Sequence, residues 1–240
     1  MMDKNSPLPL YHQLEEHIKS LIEKGELKPE DSLPSEREYA EKYDISRMTV
    51  RQAINNLVKE GYLYRRKGKG SFVSEQKIEQ KLIGLTSFTE DMRARGMEPS
   101  SRLLHFEIIP ANIQVAKQLG IKEYAPVYEI RRIRLADNVP MALETNYISA
   151  NLIKGLTEEI VSQSLYQYIE EKQQLTIDYS TQIIESSIAG QKESDALAIE
   201  KGAPILFIRR NTYLKNGVPF EMVKSAYRAD RYKFTINIKR

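Results

Sequence analysis

The sequence predicts an α+β chain in two parts: a helical segment that ends in a basic hairpin, then a larger part built on an antiparallel sheet. Three observations predict it. Residues 1–44 carry a net charge of −5 and residues 45–74 a net of +6, so charge is sorted within a short stretch. Up to Gly61 the apolar side chains recur at helical spacing, with capping residues between the runs. From about residue 103, strand-like runs follow one another, two pairs of them around Asp137-Asn138 and Asn216-Gly217.

The chain has 240 residues, enough for one large or two ordinary domains, each with a core. Hydrophobic residues make up 41 %, as in a globular protein. No apolar run approaches the roughly 18 residues needed to cross a bilayer. MMDKNSPLPL lacks a secretory-signal layout, so a cytoplasmic setting without membrane partners is expected. Cysteine is absent, which excludes disulfides and thiolate metal sites. The three histidines form no cluster, and neither a metal nor another cofactor is expected.

Leu10, Leu14, Ile18, Leu21 and Ile22 share one face of a helix expected over 9–24, which Gly25 ends. Ser35 and Glu38 form a capping box for a short helix over 36–43, with Tyr39, Ala40 and Tyr43 inward. After a break at Asp44-Ile45, Ser46 caps a third helix to about residue 60, closed by Gly61. Val50, Ile54, Leu57 and Val58 mark its buried side. Arg47, Arg51 and Asn55 share the opposite side, with Thr49 and Gln52 beside them.

Two short helices across a tight turn give a helix-turn-helix. Arginine, threonine, glutamine and asparagine at the start of its second helix are the types that reach phosphates and base edges in a major groove. The same spacing also suits an ordinary solvated face. The next residues favour the first reading. Tyr62-Leu63-Tyr64 and Ser71-Phe72-Val73 read as strands around the basic, glycine-containing turn at 65–70, which is a wing. Lys67 and Lys69 supply charge at its tip, and Gly68 permits close backbone approach.

Pro9-Leu10-Tyr11, Leu33-Pro34-Ser35-Glu36-Arg37, Ser46-Arg47-Met48-Thr49-Val50-Arg51 and Gly68-Lys69-Gly70-Ser71-Phe72-Val73 closely resemble the GntR family of bacterial regulators. The likeness covers nearly all of residues 8–74. It implies that Arg37 contacts DNA, that Arg47, Thr49 and Arg51 enter the major groove, and that Gly68 approaches the minor groove. With Ser46, Lys67 and Lys69 these form the expected DNA surface. One departure is visible: Pro29-Glu30 stands where the family usually has Pro-Gly.

The winged helix-turn-helix is assigned to 1–74 and the polar run 75–82 to a linker, though that run would also suit an extension of the wing. In 83–240, Thr86 and Ser87 cap a helix to about residue 95, with Glu90 completing a capping box. Strands are expected over 103–109, 125–135, 139–148, 177–186, 203–214, 218–227 and 233–238. Helices are expected over 111–119, 165–172 and 193–199.

An internal repeat organises this part. Ala125-Pro126-Val127-Tyr128-Glu129-Ile130-Arg131-Arg132 matches Ala203-Pro204-Ile205-Leu206-Phe207-Ile208-Arg209-Arg210, and Val139-Pro140-Met141 matches Val218-Pro219-Phe220. Two related units would leave a cleft between them for a ligand, unless the repeat serves packing alone. Strand alternation puts Arg132 and Arg134 on one face, and Glu221 and Tyr227 on one face of their own strand. Paired guanidinium groups suit phosphate or carboxylate, although they also suit surface ion pairs. Glutamates such as Glu144 and Glu221 suit sugar hydroxyls.

This half, including Leu85-Thr86-Ser87-Phe88-Thr89-Glu90-Asp91-Met92, resembles the effector domain of the HutC-type GntR subfamily, whose fold is similar to chorismate lyase. The resemblance is greatest to regulators of amino-sugar use that respond to N-acetylglucosamine 6-phosphate or glucosamine 6-phosphate. It implies a phosphate held by Ser87, Phe88, Thr89, Arg132, Arg134, Ser164 and Tyr166, and a sugar held by Glu144, Glu221 and Tyr227. The implied protein is a homodimeric regulator, by likeness a repressor, that binds double-stranded operator DNA and is released by a phosphorylated sugar. The alternatives are the same architecture sensing another small anion, a lyase-like enzyme, or an architectural DNA-binding protein without an effector. No catalytic residue is expected.

Overall fold

The computed structural model describes residues 2–4, 6–74, 77–82 and 84–238. The chain divides into two compact units, Met1–Lys77 and Ile78–Arg240.

The first unit contains α1 (Leu10–Glu23), α2 (Glu36–Tyr43), α3 (Arg47–Lys59), β1 (Leu63–Arg66) and β2 (Gly70–Val73). Local chemistry sets each boundary. Both bonds of the Ser35–Glu38 capping box form at the start of α2. Asp44, left-handed at φ 52°, ends that helix, and the Ser46 hydroxyl caps α3 by accepting the Thr49 N–H. Leu14 and Ile18 of α1 bury against Val50, Ile54 and Leu57 of α3, with Leu63 and Val73 beneath the hairpin. Each such aliphatic side chain contributes about 1.5–3 kcal/mol on burial. Asn56 donates to the buried Glu15 carboxylate at 2.7 Å, which satisfies that charge and ties α3 to α1. β1 and β2 pair antiparallel from Leu63–Val73 out to Arg66–Gly70.

The expected linker is corrected in its second half. Residues 75 and 76 lie outside the described ones, but Ile78–Lys81 form a strand, β3. It neither links nor extends the wing: it pairs in parallel with the last strand, β10 (Tyr232–Thr235). Burial is the reason. Ile78 and Phe234 pack on a cluster containing Met92, Tyr227 and Tyr232, which the polar look of 75–82 hides.

The rest of the second unit runs α4 (Phe88–Ala94), β4 (Pro99–Pro110), α5 (Ile113–Leu119), β5 (Pro126–Ala136), β6 (Val139–Ser149), α6 (Glu158–Ser162), α7 (Leu165–Glu171), β7 (Ile177–Ile188), α8 (Gln191–Leu197), β8 (Pro204–Leu214) and β9 (Pro219–Arg228). Only α6, a single turn capped by Thr157, is absent from the sequence expectation. Asp137 and Asn138, both at positive φ, make the β5–β6 turn, and Gly217 at φ 80° serves β8–β9.

Six strands form one antiparallel sheet in the order β4-β5-β6-β9-β8-β7. The sequence repeat becomes a local twofold. Val139 recurs as Val218, and at the same offset Thr145 corresponds to Lys224; these two stand directly opposite across β6 and β9. α5 and α8 bury apolar residues on one sheet face. α4, α6, α7 and the β3–β10 pair pack on the other, and the central strands beneath them carry Arg132, Arg134, Glu144 and Glu221.

Candidate functional site

In the first unit a groove runs between the start of α2, the start of α3 and the hairpin. It gathers Arg37, Arg47, Arg51, Lys67, Gly68 and Lys69. Ser46 and Thr49 do not line it; they stand at the α3 N-terminus, their hydroxyl oxygens 2.8 Å apart. Gly68 sits at the hairpin tip with φ 74°, and no protein atom approaches within 4 Å of where a Cβ would stand. Only glycine takes that backbone without strain while leaving the tip open to a second molecule.

Two carboxylates hold arginines of this region, contacts that the sequence does not reveal. Glu36 accepts Nε and Nη2 of Arg51 at 2.9 and 2.7 Å, with Arg65 at 3.7 Å. Glu30, at φ 72°, accepts the Tyr64 hydroxyl at 2.8 Å and Arg66 at 2.5 Å. The Pro29-Glu30 departure therefore places a glutamate in backbone that favours glycine, and its side chain grips the hairpin.

In the second unit all ten expected effector residues line one pocket: Ser87, Phe88 and Thr89 from the start of α4, Arg132 and Arg134 from β5, Glu144 from β6, Ser164 and Tyr166 from the start of α7, and Glu221 and Tyr227 from β9. Arg132 is 1 % exposed; it donates to Glu144 Oε1 at 2.5 Å, to Asn146 Oδ1 at 3.2 Å and to the Val161 carbonyl at 2.6 Å. Arg134 donates to Thr89 Oγ1 at 3.1 Å, reaches Glu144 at 3.5 Å and lies over the Phe88 ring. The Nε atoms of both arginines are buried without a hydrogen-bond partner. Ser164, unlike Ser87, spends no side-chain bond on its helix.

Glu221 accepts Asn146 Nδ2 at 2.7 Å, the Tyr166 hydroxyl at 3.1 Å and Thr212 Oγ1 at 3.3 Å. Burial would raise the Glu144 carboxyl, but Arg132 and Arg134 hold it below the usual carboxylate range. Burial and the Glu144 charge push Glu221 up instead. Burial and the Arg132 charge bring Arg134 down to about 10. Burial also pushes the Tyr227 hydroxyl to about 12 and Tyr166 above its ordinary range.

Sequence reasoning missed Arg210, whose Nε donates to Gln182 at 2.8 Å, and Asn146, which bridges the two glutamates' networks. The repeat held the signal for Arg210, because it is the counterpart of Arg132. Three arginines thus face two glutamates, one of them pushed toward its neutral form, and the pocket prefers an anion. Its cavity volume is about 40 Å³, so a ligand of sugar size needs the lining side chains to move.

Residues 10–73 match the family described as bacterial regulatory proteins, gntR family, and residues 94–233 match the UTRA domain. The chain belongs to the GntR family and carries a UTRA domain. It is a transcriptional repressor of the GntR/HutC type. It is 50 % identical over 233 residues to the HTH-type transcriptional repressor NagR of Bacillus subtilis, covering 97 % of this chain and 96 % of that protein. It is 36 % identical to the mannosyl-D-glycerate transport/metabolism system repressor MngR of Escherichia coli, covering 97 % of each. Among solved structures, PhnF from Mycobacterium smegmatis superposes with a TM-score of 0.73 at 29 % identity, covering 95 % of the repressor and 98 % of that chain. Among the described residues no helix is long and apolar enough to cross a membrane.

Proposed function

We propose that the repressor acts as a homodimer on double-stranded operator DNA in the cytoplasm and lets go when a phosphorylated amino sugar enters its second unit. N-acetylglucosamine 6-phosphate or glucosamine 6-phosphate is the effector. One observation carries this reading: two buried arginines, Arg132 and Arg134, share the carboxylate of Glu144 and keep their Nε donors unused. A phosphate offers the oxyanions that such donors need, and guanidinium forks match its geometry. Ser87, Thr89 and Ser164 add hydroxyls around it, while Glu221 and Tyr227 meet the sugar. The resemblance of residues 83–240 to regulators of amino-sugar use supports the amino-sugar class.

In this reading Arg37, Arg47, Thr49 and Arg51 meet one operator half-site, with Ser46 at the helix start and Lys67, Gly68 and Lys69 on the wing. Two such units on a dimer span half-sites roughly one helical turn apart. The effector acts by binding one arrangement of the dimer better than the other. In this reading the repressor senses its ligand and does not turn it over, as expected of a chain whose relatives are transcriptional regulators.

A thermal-shift screen of the purified chain against sugar phosphates tests this, since a specific ligand raises the melting temperature by mass action. The two amino-sugar 6-phosphates are expected to stabilise it more than glucose 6-phosphate or inorganic phosphate. Equal shifts with all four would contradict the assignment.

A further inference from the structure

One residue on the outward side of α3 has no polar group to offer. Over the first two turns Arg47, Thr49, Arg51 and Gln52 all carry hydrogen-bonding side chains, and Met48 stands among them with 67 % of its surface exposed. Among the described residues of the first unit it is the most exposed large hydrophobic; Leu8, at 41 %, comes next. Helix formation does not call for it. Arginine, lysine and glutamine serve an exposed helical position as well as methionine does and keep their polar ends in water.

Its placement on the helix is specific. At about 100° per residue, Met48 lies roughly 160° around α3 from the buried Val50. It therefore stands on the crest of the outward side, with Gln52 one turn further on. The groove that gathers Arg37, Arg47, Arg51 and the hairpin runs along one flank, and Met48 does not line it. Thr49, paired with the Ser46 hydroxyl, stands on the other flank. The crest of the first turns is the part of such a helix that meets base edges when it enters a major groove. The apolar group that base edges present there is the 5-methyl of thymine. A thioether side chain has no donor for a phosphate or a base, but it is flexible and polarisable enough to close over a methyl.

We propose that Met48 is a specificity-determining residue that reads the 5-methyl group of one thymine in each operator half-site. The proposal rests on the operator reading above, and it adds an apolar contact to the arginine and hydroxyl contacts expected there.

Deoxyuridine scanning tests it, because uracil pairs as thymine does and lacks only the methyl. The full chain first selects its preferred duplex from a random pool. Each thymine of that duplex is then replaced in turn by deoxyuridine, and binding is followed by fluorescence anisotropy. One position per half-site is expected to weaken binding about threefold to fourfold, the worth of one buried methyl-sized group. Met48→Ala is expected to weaken binding of the all-thymine duplex by a similar factor and to show no further loss at that position. Met48→Leu, which keeps an apolar side chain on the crest, is expected to retain most of the loss, and equal melting temperatures show that both variants are folded. Absence of any deoxyuridine-sensitive position with the unaltered chain, or full sensitivity retained by Met48→Ala, overturns the role of Met48 and leaves the arginine contacts standing. Failure of the unaltered chain to enrich any sequence from the pool overturns the operator reading, and the role of Met48 with it.

Discussion

Arg132 and Glu144 stand directly opposite in the β5–β6 register, and their side chains meet at 2.5 Å where neither is more than 8 % exposed. In the proposed reading a ligand oxyanion competes with this carboxylate for the Arg132 guanidinium, and Glu144 keeps Arg134 as a cation partner when it is displaced.

Arg132→Ala is expected to leave Glu144 buried and short of its main partner, at a cost of about 3–5 kcal/mol of folding stability in urea titrations. Below its melting temperature the variant should still bind operator, and added sugar phosphate should no longer release it. The pair Arg132→Met with Glu144→Leu should recover much of the stability and none of the response. Recovery of the response would mean that the anion binds elsewhere.

Arg51→Ala is expected to weaken operator binding roughly ten- to a hundredfold and to relax sequence preference, measured by fluorescence anisotropy on operator and scrambled duplexes. The Glu36 carboxylate now holds Arg51, so DNA binding must either turn that pair toward the base edge or break it. Glu36→Gln separates these cases: weaker specific binding points to an orienting role for Glu36, tighter binding to a competing one.

Glu30→Gly removes a left-handed backbone cost of about 1–2 kcal/mol and frees Arg66 from its carboxylate. The expected result is unchanged or slightly higher stability, with a salt dependence of DNA binding steeper by about one phosphate contact. An unchanged slope would show that Arg66 does not reach the DNA.

Most of the fold was legible because its signals are local. Ser35–Glu38 and Ser87–Glu90 are complete capping boxes in the sequence and form as such. Asn216-Gly217 marks its hairpin for the same reason. Alternation puts Arg132 with Arg134 and Glu221 with Tyr227, whereas Glu144 follows from the repeat and the family resemblance. What stayed hidden depends on distant partners. Ile78–Lys81 becomes a strand only because Tyr232–Thr235, at the far end of the chain, lies beside it. Glu36 reads as an ordinary acidic residue and Glu30 only as a changed turn until folding sets them against Arg51 and Arg66. Arg210 was visible in the repeat, yet its place in the pocket follows from β8 lying beside β9.

Glu221 gives the pocket a pH signature. Its carboxyl is raised in the folded chain, by burial and by the charge on Glu144, so the folded state resists its ionisation. Stability tied to the protonated form is complete below the ordinary value of 4.5 and is lost as pH rises through the raised value. Glu144 is lowered and behaves oppositely, losing its contribution as pH falls. Glu221→Gln should therefore be more stable than the unaltered chain at pH 7, with the difference shrinking as pH falls toward 4.5 in parallel urea titrations. A difference that grows on acidification would place the proton elsewhere.

The central claim is that the pocket around Arg132, Arg134 and Glu144 controls the grip of the winged unit on DNA. The most direct measurement is operator binding of the full chain by fluorescence anisotropy at rising N-acetylglucosamine 6-phosphate, at fixed ionic strength. The account predicts saturable release by the unaltered chain and none by Arg132→Ala, at equal starting affinity. Operator affinity that stays constant through saturating N-acetylglucosamine 6-phosphate and glucosamine 6-phosphate would contradict it.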